Sequence, residues 1–189
     1  MFLLWLSVGL LTATIYGSFF EWTFHKYMLH RPMFSIRYPF KHHALIHHYI
    51  FKANDTYHLL NEKDKNTIPM AWWSGPLIVL IAILPFALIS FLTGLWGILL
   101  GATITTILYF ITYEYIHWCM HLPKKRSIER NGLFFRLNGH HLLHHRYMNK
   151  NFNVVLPLAD MCLGTLLKRS KIKFEQAIGP SIPNLQPLS

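Results

Sequence analysis

Two stretches of the chain are free of charged side chains and long enough to cross a membrane. Residues 2–20 are nineteen consecutive uncharged positions, and about 20 apolar residues in a helix span a hydrocarbon core of about 30 Å. Residues 69–112 are roughly twice that length, with a turn signal at Thr93–Gly94 near their middle. The pattern predicts an all-α integral membrane protein with about three transmembrane helices, at about 2–20, 70–92 and 95–116.

The basic side chains lie entirely outside these apolar stretches. All 18 Lys and Arg residues fall within 26–65 and 124–173. Basic residues that flank apolar spans mark the cytoplasmic side of a membrane protein. With three spans, the polar segments 21–68 and 117–175 would therefore pack on each other as a histidine-rich cytosolic helical cap.

Length and composition favour a single membrane domain. The chain is 52% hydrophobic and only 14% charged, and its net charge of +10 comes from the flanks of the spans, so no nucleic-acid partner is expected. Two cysteines, Cys119 and Cys162, do not make a disulfide framework. We treat 1–175 as one domain and 176–189 as an irregular tail. The active site would face the cytosol, from the inner membrane of a bacterium or the endoplasmic reticulum of a eukaryote.

Histidine is the residue that suggests chemistry, because 13 of the 189 residues are histidines and ten of them form four clusters. Two clusters follow the first span, one follows the last span, and one lies further on. The clusters are His25 and His30; His43, His47 and His48; His117 and His121; and His141, His144 and His145.

The spacing within the clusters is typical of metal ligands. Residues three or four apart share a helical face, so a pair such as His117 and His121 can bind one ion. His25 and His30 are five apart and need a bend, a π-bulge or two different metals. The adjacent His47 and His48 suit two ions, and ten ligands exceed what one metal can bind.

Three histidines lie outside the four clusters, and two non-enzymatic functions fit the sequence less well than an enzyme does. His42, His58 and His140 are expected to be spare residues or supports for the ligands. A metal transporter would carry its site near the bilayer midplane, but the predicted spans have no histidine in their interiors. A scaffold with a structural zinc site would need only four ligands.

The order of the clusters around a membrane hairpin resembles the fatty acid hydroxylase superfamily, which includes sterol desaturases and sterol methyl oxidases. The resemblance covers roughly residues 20–167 and is close over 21–30 and 141–146. It implies that ten histidines are metal ligands. They are His25, His30, His43, His47, His48, His117, His121, His141, His144 and His145.

The resemblance implies a membrane di-iron oxygenase that hydroxylates an unactivated C–H bond of a fatty acyl or sterol-like lipid. Two Fe ions would use O2 as co-substrate, with electrons from a separate donor protein, since no haem or flavin domain is recognisable. Imidazole suits iron, zinc and copper alike, so iron rests on the resemblance, and zinc is a possible substitute in purified protein. Phe51, Asn54, Asp55 and Tyr57 are also similar to small carotenoid ring hydroxylases, and a lipid desaturase would use the same chemistry.

Three acidic residues complete the candidate site. Glu21 and Glu114 lie at the inner ends of spans, where a free carboxylate is costly unless it is paired or wetted. Because metal-bound histidines commonly donate their second ring N–H to a carboxylate, we predict that both acids support ligands. The alternative is an interfacial acid that reaches water or a basic side chain. Asp160 belongs to a closing segment that resembles the same family, although Asn153 stands there in place of a usual glycine.

The apolar walls for a lipid substrate are expected at the ends of the first and third spans. Trp22, Phe24, Tyr113, Tyr115 and Trp118 are the aromatic residues at those ends.

Overall fold

The protein is helical throughout the part of the chain that its structure, a computed structural model, describes, which is residues 1–33 and 35–168. Within those residues there is no β-strand beyond an isolated bridge between Met33 and Ile36. The predicted tail over 176–189, and residues 169–175 of the predicted domain, lie outside the described residues. The helices are α1 (Phe2–Phe24), π1 (His25–Leu29), α2 (Tyr38–Phe40), π2 (Lys41–His47), α3 (His48–Ile50), α4 (Ser74–Thr93), α5 (Trp96–His121), α6 (Gly132–Arg146) and α7 (Leu158–Cys162), with 3-10 turns at Glu62–Thr67 and Ser127–Arg130.

Three of these helices are long and apolar enough to cross a membrane, as the hydrophobic pattern predicts. They are Phe2–Leu29, Ser74–Thr93 and Trp96–His121. The first and third continue beyond their predicted ends at 20 and 116, because hydropathy marks where the hydrocarbon ends and not where helical hydrogen bonding ends. The second begins at Ser74 instead of 70.

A tight turn joins α4 to α5 at the predicted position. Gly94 has a φ of +74°, a left-handed conformation that glycine adopts without steric cost. Its N–H donates to the carbonyl oxygen of Ser90 at 2.9 Å and closes α4. The two helices therefore form the predicted hairpin.

Helix α1 packs along α5 in the same direction, at very close range. A Cβ atom on Gly9 would collide with the Ile98 carbonyl, and one on Gly101 would collide with the carbonyl of Leu6. Small residues allow such close backbone approach between membrane helices. Because α1 and α5 run parallel, their carboxyl ends, with the histidines that follow, come together.

Helix α4 packs on α5 but has little contact with α1. The segments that follow α1 and α5 fill the space at the carboxyl ends of those two helices. Helix α6 is fully buried there from Gly139 to His145. That these segments form a cap on the cytosolic side stays a prediction.

Candidate metal centres

The ten clustered histidines gather in two groups of five. Within each group, one ring nitrogen from every histidine lies within 4.8 Å of the others. We name the groups centre A and centre B. Centre A contains His25, His30, His43, His48 and His144, and centre B contains His47, His117, His121, His141 and His145.

Centre A uses pairs of histidines that are five residues apart on π-helical turns. The N–H of His30 donates to the carbonyl oxygen of His25 at 3.1 Å across π1. In the same way, the N–H of His48 donates to the carbonyl of His43 at the end of π2. The wider turn brings both members of each pair to the same side of the helix. Of the bend, the π-bulge and the two separate metals considered for a spacing of five, the structure has the π-bulge.

Centre B uses pairs that are four residues apart on regular α-helices. His117 and His121 lie on α5, and His141 and His145 lie on α6. Residues at this spacing share a helical face. The geometry is the one expected from the sequence for these pairs.

The fifth member of each centre comes from a helix that otherwise serves the other centre. His47 of π2 belongs to centre B, whereas the adjacent His48 belongs to centre A. His144 of α6 belongs to centre A, whereas its neighbour His145 belongs to centre B. The two centres are thus interlocked, which agrees with the expectation that adjacent histidines face different ions.

The rings of the two centres are oriented by backbone carbonyls from two different segments. In centre A, the Nδ1–H groups of His25 and His144 donate to the carbonyls of Phe152 and Lys150. In centre B, those of His47, His121 and His145 donate to three carbonyls between residues 51 and 67. These are Thr67, Tyr57 and Phe51, respectively.

These hydrogen bonds leave bare lone pairs pointing into each centre. A carbonyl only accepts, so a ring that bonds one through Nδ1 carries its proton there and leaves Nε2 unprotonated. In centre A, Nε2 of His25 lies 2.9 Å from Nε2 of His43, and Nε2 of His30 lies 3.0 Å from Nε2 of His144.

In centre B, two rings whose Nδ1 bonds a carbonyl, His121 and His145, converge on His141, whose own Nδ1 is buried without a hydrogen-bond partner. Its Nε2 lies 3.2 Å from that of His121 and 3.0 Å from that of His145. The Nε2 atoms of His47 and His117 are buried without a hydrogen-bond partner. A buried nitrogen lone pair without a donor is costly, and a cation among these nitrogens would satisfy it, so both groups fit a metal ion.

Burial keeps the ligands outside the membrane-spanning helices neutral. It lowers the pKa of His43, His141 and His145 far below the usual range, and neighbouring rings reinforce the effect. Burial also lowers the pKa of His30 to about 2 and that of His144 to about 4. Neutral imidazole is the form that binds metal, so these rings are ready to bind at neutral pH.

Asp160 organises the segment that orients centre A. Its carboxylate accepts hydrogen bonds from the N–H groups of Phe152 and Asn153, at 3.0 and 2.8 Å, and from Thr165 Oγ1 at 2.6 Å. It also accepts one from His140 Nε2 at 3.0 Å. Burial opposes its charge, but these donors hold the pKa of Asp160 below its usual range. The pairing with His140 has no signal in the sequence, because nothing in their spacing relates the two.

Asn153 stands where the resembled family usually has a glycine, and both polar atoms of its side chain form hydrogen bonds in this segment. Its Nδ2 donates to the Ser18 carbonyl at 2.8 Å and to Glu21 at 3.1 Å, and its Oδ1 accepts from the Asp160 N–H at 3.1 Å. The neighbouring Asn151 takes the left-handed conformation, with φ of +55°, which asparagine tolerates better than most residues.

Glu21 and Glu114 contact backbone segments and not histidine rings. Glu21 accepts from Tyr109 Oη at 2.6 Å, from Asn153, and from the N–H of Val154. Glu114 accepts from the N–H of Met70 at 3.1 Å. Among the described residues, no hydrogen bond joins either carboxylate to a histidine ring, and backbone carbonyls instead accept the Nδ1–H groups of five rings. The predicted hydrogen bonds from histidine rings to Glu21 and Glu114 are therefore not present among the described residues, and a catalytic or supporting role for Glu21, Glu114 or Asp160 stays a prediction.

An apolar cavity of about 170 Å³ reaches both centres. Its inner wall includes His43 of centre A and His47 and His117 of centre B. Its outer wall includes Leu77 and Ile81, whose side chains are about half exposed on α4, a helix long and apolar enough to cross a membrane. The cavity therefore extends from α4 to histidines of both groups.

A second, smaller apolar cavity of about 60 Å³ lies between α1, α4 and α5. It shares the walls Phe24, Leu29, Met70, Ile78 and Tyr113 with the first cavity. The two cavities are therefore adjacent and separated only by side chains.

Of the aromatic residues expected to line a lipid site, Phe24 and Tyr113 line both cavities. Trp22, Tyr115 and Trp118 line neither of them. The indole N–H of Trp22 instead donates to Thr165 Oγ1 at 2.8 Å. Position near a span end does not reveal which way a side chain points, so two of the five aromatic residues line these cavities and three do not.

Comparison of the chain with protein-family models, with curated proteins and with solved structures gave no match.

Proposed function

We propose that the protein is a membrane di-iron oxygenase that hydroxylates an unactivated C–H bond of a fatty acyl or sterol-like lipid. The observation that carries the proposal is the apolar cavity between the lipid-facing side of α4 and the histidines of both centres. A lipid could enter this cavity from the bilayer without crossing water. Its reacting carbon would then lie beside His43, His47 and His117.

The chain's own contribution is to position ligands and exclude water. Ten neutral imidazoles, nine of them buried, would hold two Fe ions, which when bound supply the activation of O2 that side chains alone cannot provide. The backbone carbonyls on Nδ1 fix the ring orientations. Apolar walls keep bulk water away from the reacting carbon.

The family resemblance supports iron and the reaction class, because nitrogen donors suit several metals. Phe51 and Tyr57, which resemble carotenoid ring hydroxylases, orient His145 and His121 of centre B through their carbonyls. A backbone carbonyl does not depend on the side chain, so the carotenoid ring hydroxylase stays an alternative with the same chemistry. A metal transporter is disfavoured because both centres lie at the ends of the long helices, not in their interiors.

Lipid mass spectrometry of cells with and without the protein tests the proposal. The expected change is a lipid that gains the mass of one oxygen atom, and a loss of two hydrogens would instead indicate a desaturase. Cells that express His141→Ala are the inactive control. An unchanged lipid profile with iron-loaded native protein would overturn the proposal.

A further inference from the structure

One proposed ligand differs from the other nine in that it reaches the surface. His30 of centre A is partly exposed, whereas the other nine histidines are buried. His30 lines an open groove of about 440 Å³, here named the His30 groove. The groove is lined by Lys26, His30, Arg31, Phe40, Ala44, Leu45, Met148, Asn149 and Phe152.

The His30 groove combines positive charge with exposed apolar side chains. Lys26 and Arg31 are the charged residues in its lining, and the lining contains no acid. Leu45 and Met148 are 56% and 51% exposed. The cations are held in place, since Lys26 Nζ lies 4.2 Å from the centre of the Trp22 ring and Arg31 lies 5.8 Å from that of Tyr27.

We propose that the His30 groove is the docking site for an acidic one-electron carrier protein, which passes its electron to centre A through the His30 ring. This inference rests on the proposed function. Electron transfer between proteins weakens steeply with distance, so a carrier must approach the ligand nearest the surface. Redox partners form small, transient interfaces steered by opposite charge, and an apolar patch beside two cations suits such a partner.

The electron balance of the reaction sets how many times a carrier must dock for each product molecule. Hydroxylation combines one C–H bond, one O2, two electrons and two protons to give an alcohol and one water. A one-electron carrier is oxidised by one electron at each visit, so two carriers must dock for each product molecule.

The groove and the lipid cavity lie on different faces of the centres. The residues that line the 170 Å³ cavity and those that line the His30 groove do not overlap. A carrier protein could therefore bind while a lipid occupies the cavity, which the reaction requires.

The test uses zinc-loaded full-length protein in nanodiscs of uncharged phosphatidylcholine, with an acidic [2Fe–2S] ferredoxin as the probe. We expect the charge-reversed double variant Lys26→Glu/Arg31→Glu to bind at least tenfold more weakly than the native protein. Native binding should also weaken as salt is raised. The matched control, Lys63→Glu/Lys125→Glu, changes the same charge outside the groove and should bind like the native protein. Equal zinc content in all three proteins shows that the variants fold.

A second measurement follows reduction of the iron-loaded proteins by the ferredoxin, relative to reduction by dithionite. The ratio should fall at least tenfold in the groove variant only. Equal binding by the groove variant and the native protein would overturn the inference, as would equal weakening in the control. Binding of the native protein to anionic lipid vesicles through the groove cations, without binding to the ferredoxin, would also overturn the inference. Because binding is measured with zinc, failure here is distinct from failure of the lipid-product assay.

Discussion

Centres A and B contain the same number of histidines but are built in different ways. Centre A takes two pairs from π-helical turns and has one partly exposed histidine. Two of its rings are oriented by backbone carbonyls of residues 150–152. Centre B takes its pairs from the α-helices α5 and α6 and is fully buried. Three of its rings are oriented by backbone carbonyls within residues 51–67. The difference indicates that each centre has its own support, so each can be weakened separately.

The largest effect is expected from removal of a central ligand of centre B. Nε2 of His141 lies near Nε2 of both His121 and His145, so His141→Ala removes the middle of the site. We expect elemental analysis to give about two metals per chain for the native protein and about one for His141→Ala, and we expect the variant to make no lipid product. His58→Ala, which changes a histidine outside both groups, is the control. Full metal content in His141→Ala would mean that centre B is not a metal site.

A smaller and selective effect is expected from Asp160→Asn. The variant replaces the carboxylate that holds the N–H groups of Phe152 and Asn153, and so loosens the carbonyls that orient His25 and His144. Loss of a group that orients a ligand weakens metal affinity by about 10- to 100-fold.

A chelator titration of Asp160→Asn should therefore remove metal from centre A well before centre B. Asp55→Asn, at an exposed position, should behave like the native protein. If both centres lose metal together in the Asp160 variant, the idea of separate supports is wrong.

The two glutamates should divide between the centres. Glu21 accepts a hydrogen bond from the N–H of Val154, two residues from the Phe152 carbonyl that orients His25 of centre A. Glu114 accepts one from the N–H of Met70, three residues from the Thr67 carbonyl that orients His47 of centre B. We expect Glu21→Gln to weaken metal retention in centre A, and Glu114→Gln in centre B, each by about tenfold.

The glutamine variants should have a smaller effect than Asp160→Asn because Asp160 binds the N–H of Phe152 itself, whereas Val154 and Met70 lie two and three residues from the carbonyls that orient His25 and His47. The same chelator titration measures both, with the exposed Glu62→Gln as control. If Glu21→Gln and Glu114→Gln both weaken metal retention in the same centre, the assignment of Glu21 to centre A and Glu114 to centre B is wrong.

The smallest effect is expected at His42. It lies outside both groups, and its ring stacks on Tyr38 at 5.8 Å between centroids. His42→Ala should leave two metals per chain, and the free energy of unfolding should change by no more than about 0.5 kcal/mol. Loss of metal in this variant would add an eleventh ligand and break the symmetry of five and five.

The spans and the adjacent ligands could be predicted because their patterns are local. Uncharged runs and a Thr–Gly turn identify three helices, and neighbours such as His47 and His48 must point in different directions. The division of all ten histidines into two groups of five could not be predicted, since it depends on the three-dimensional arrangement of the helices that carry them. The supports of the rings could not be predicted either. They are backbone carbonyls, and every residue has a carbonyl, so the sequence carries no signal for them.

The π-helical turns have a further consequence for how each centre tolerates a change in chain length. Each such turn contains one residue more than the α-helical turn it replaces, so centre A holds two single-residue insertions that centre B lacks. Deleting Tyr27 would leave the flanking histidines four apart, which is the spacing of His117 and His121, and ordinary helical bonding could close around them. Deleting one residue between His117 and His121 would instead rotate everything beyond it by about 100°. The same chain therefore combines one ligand register that can absorb a deletion with another that cannot.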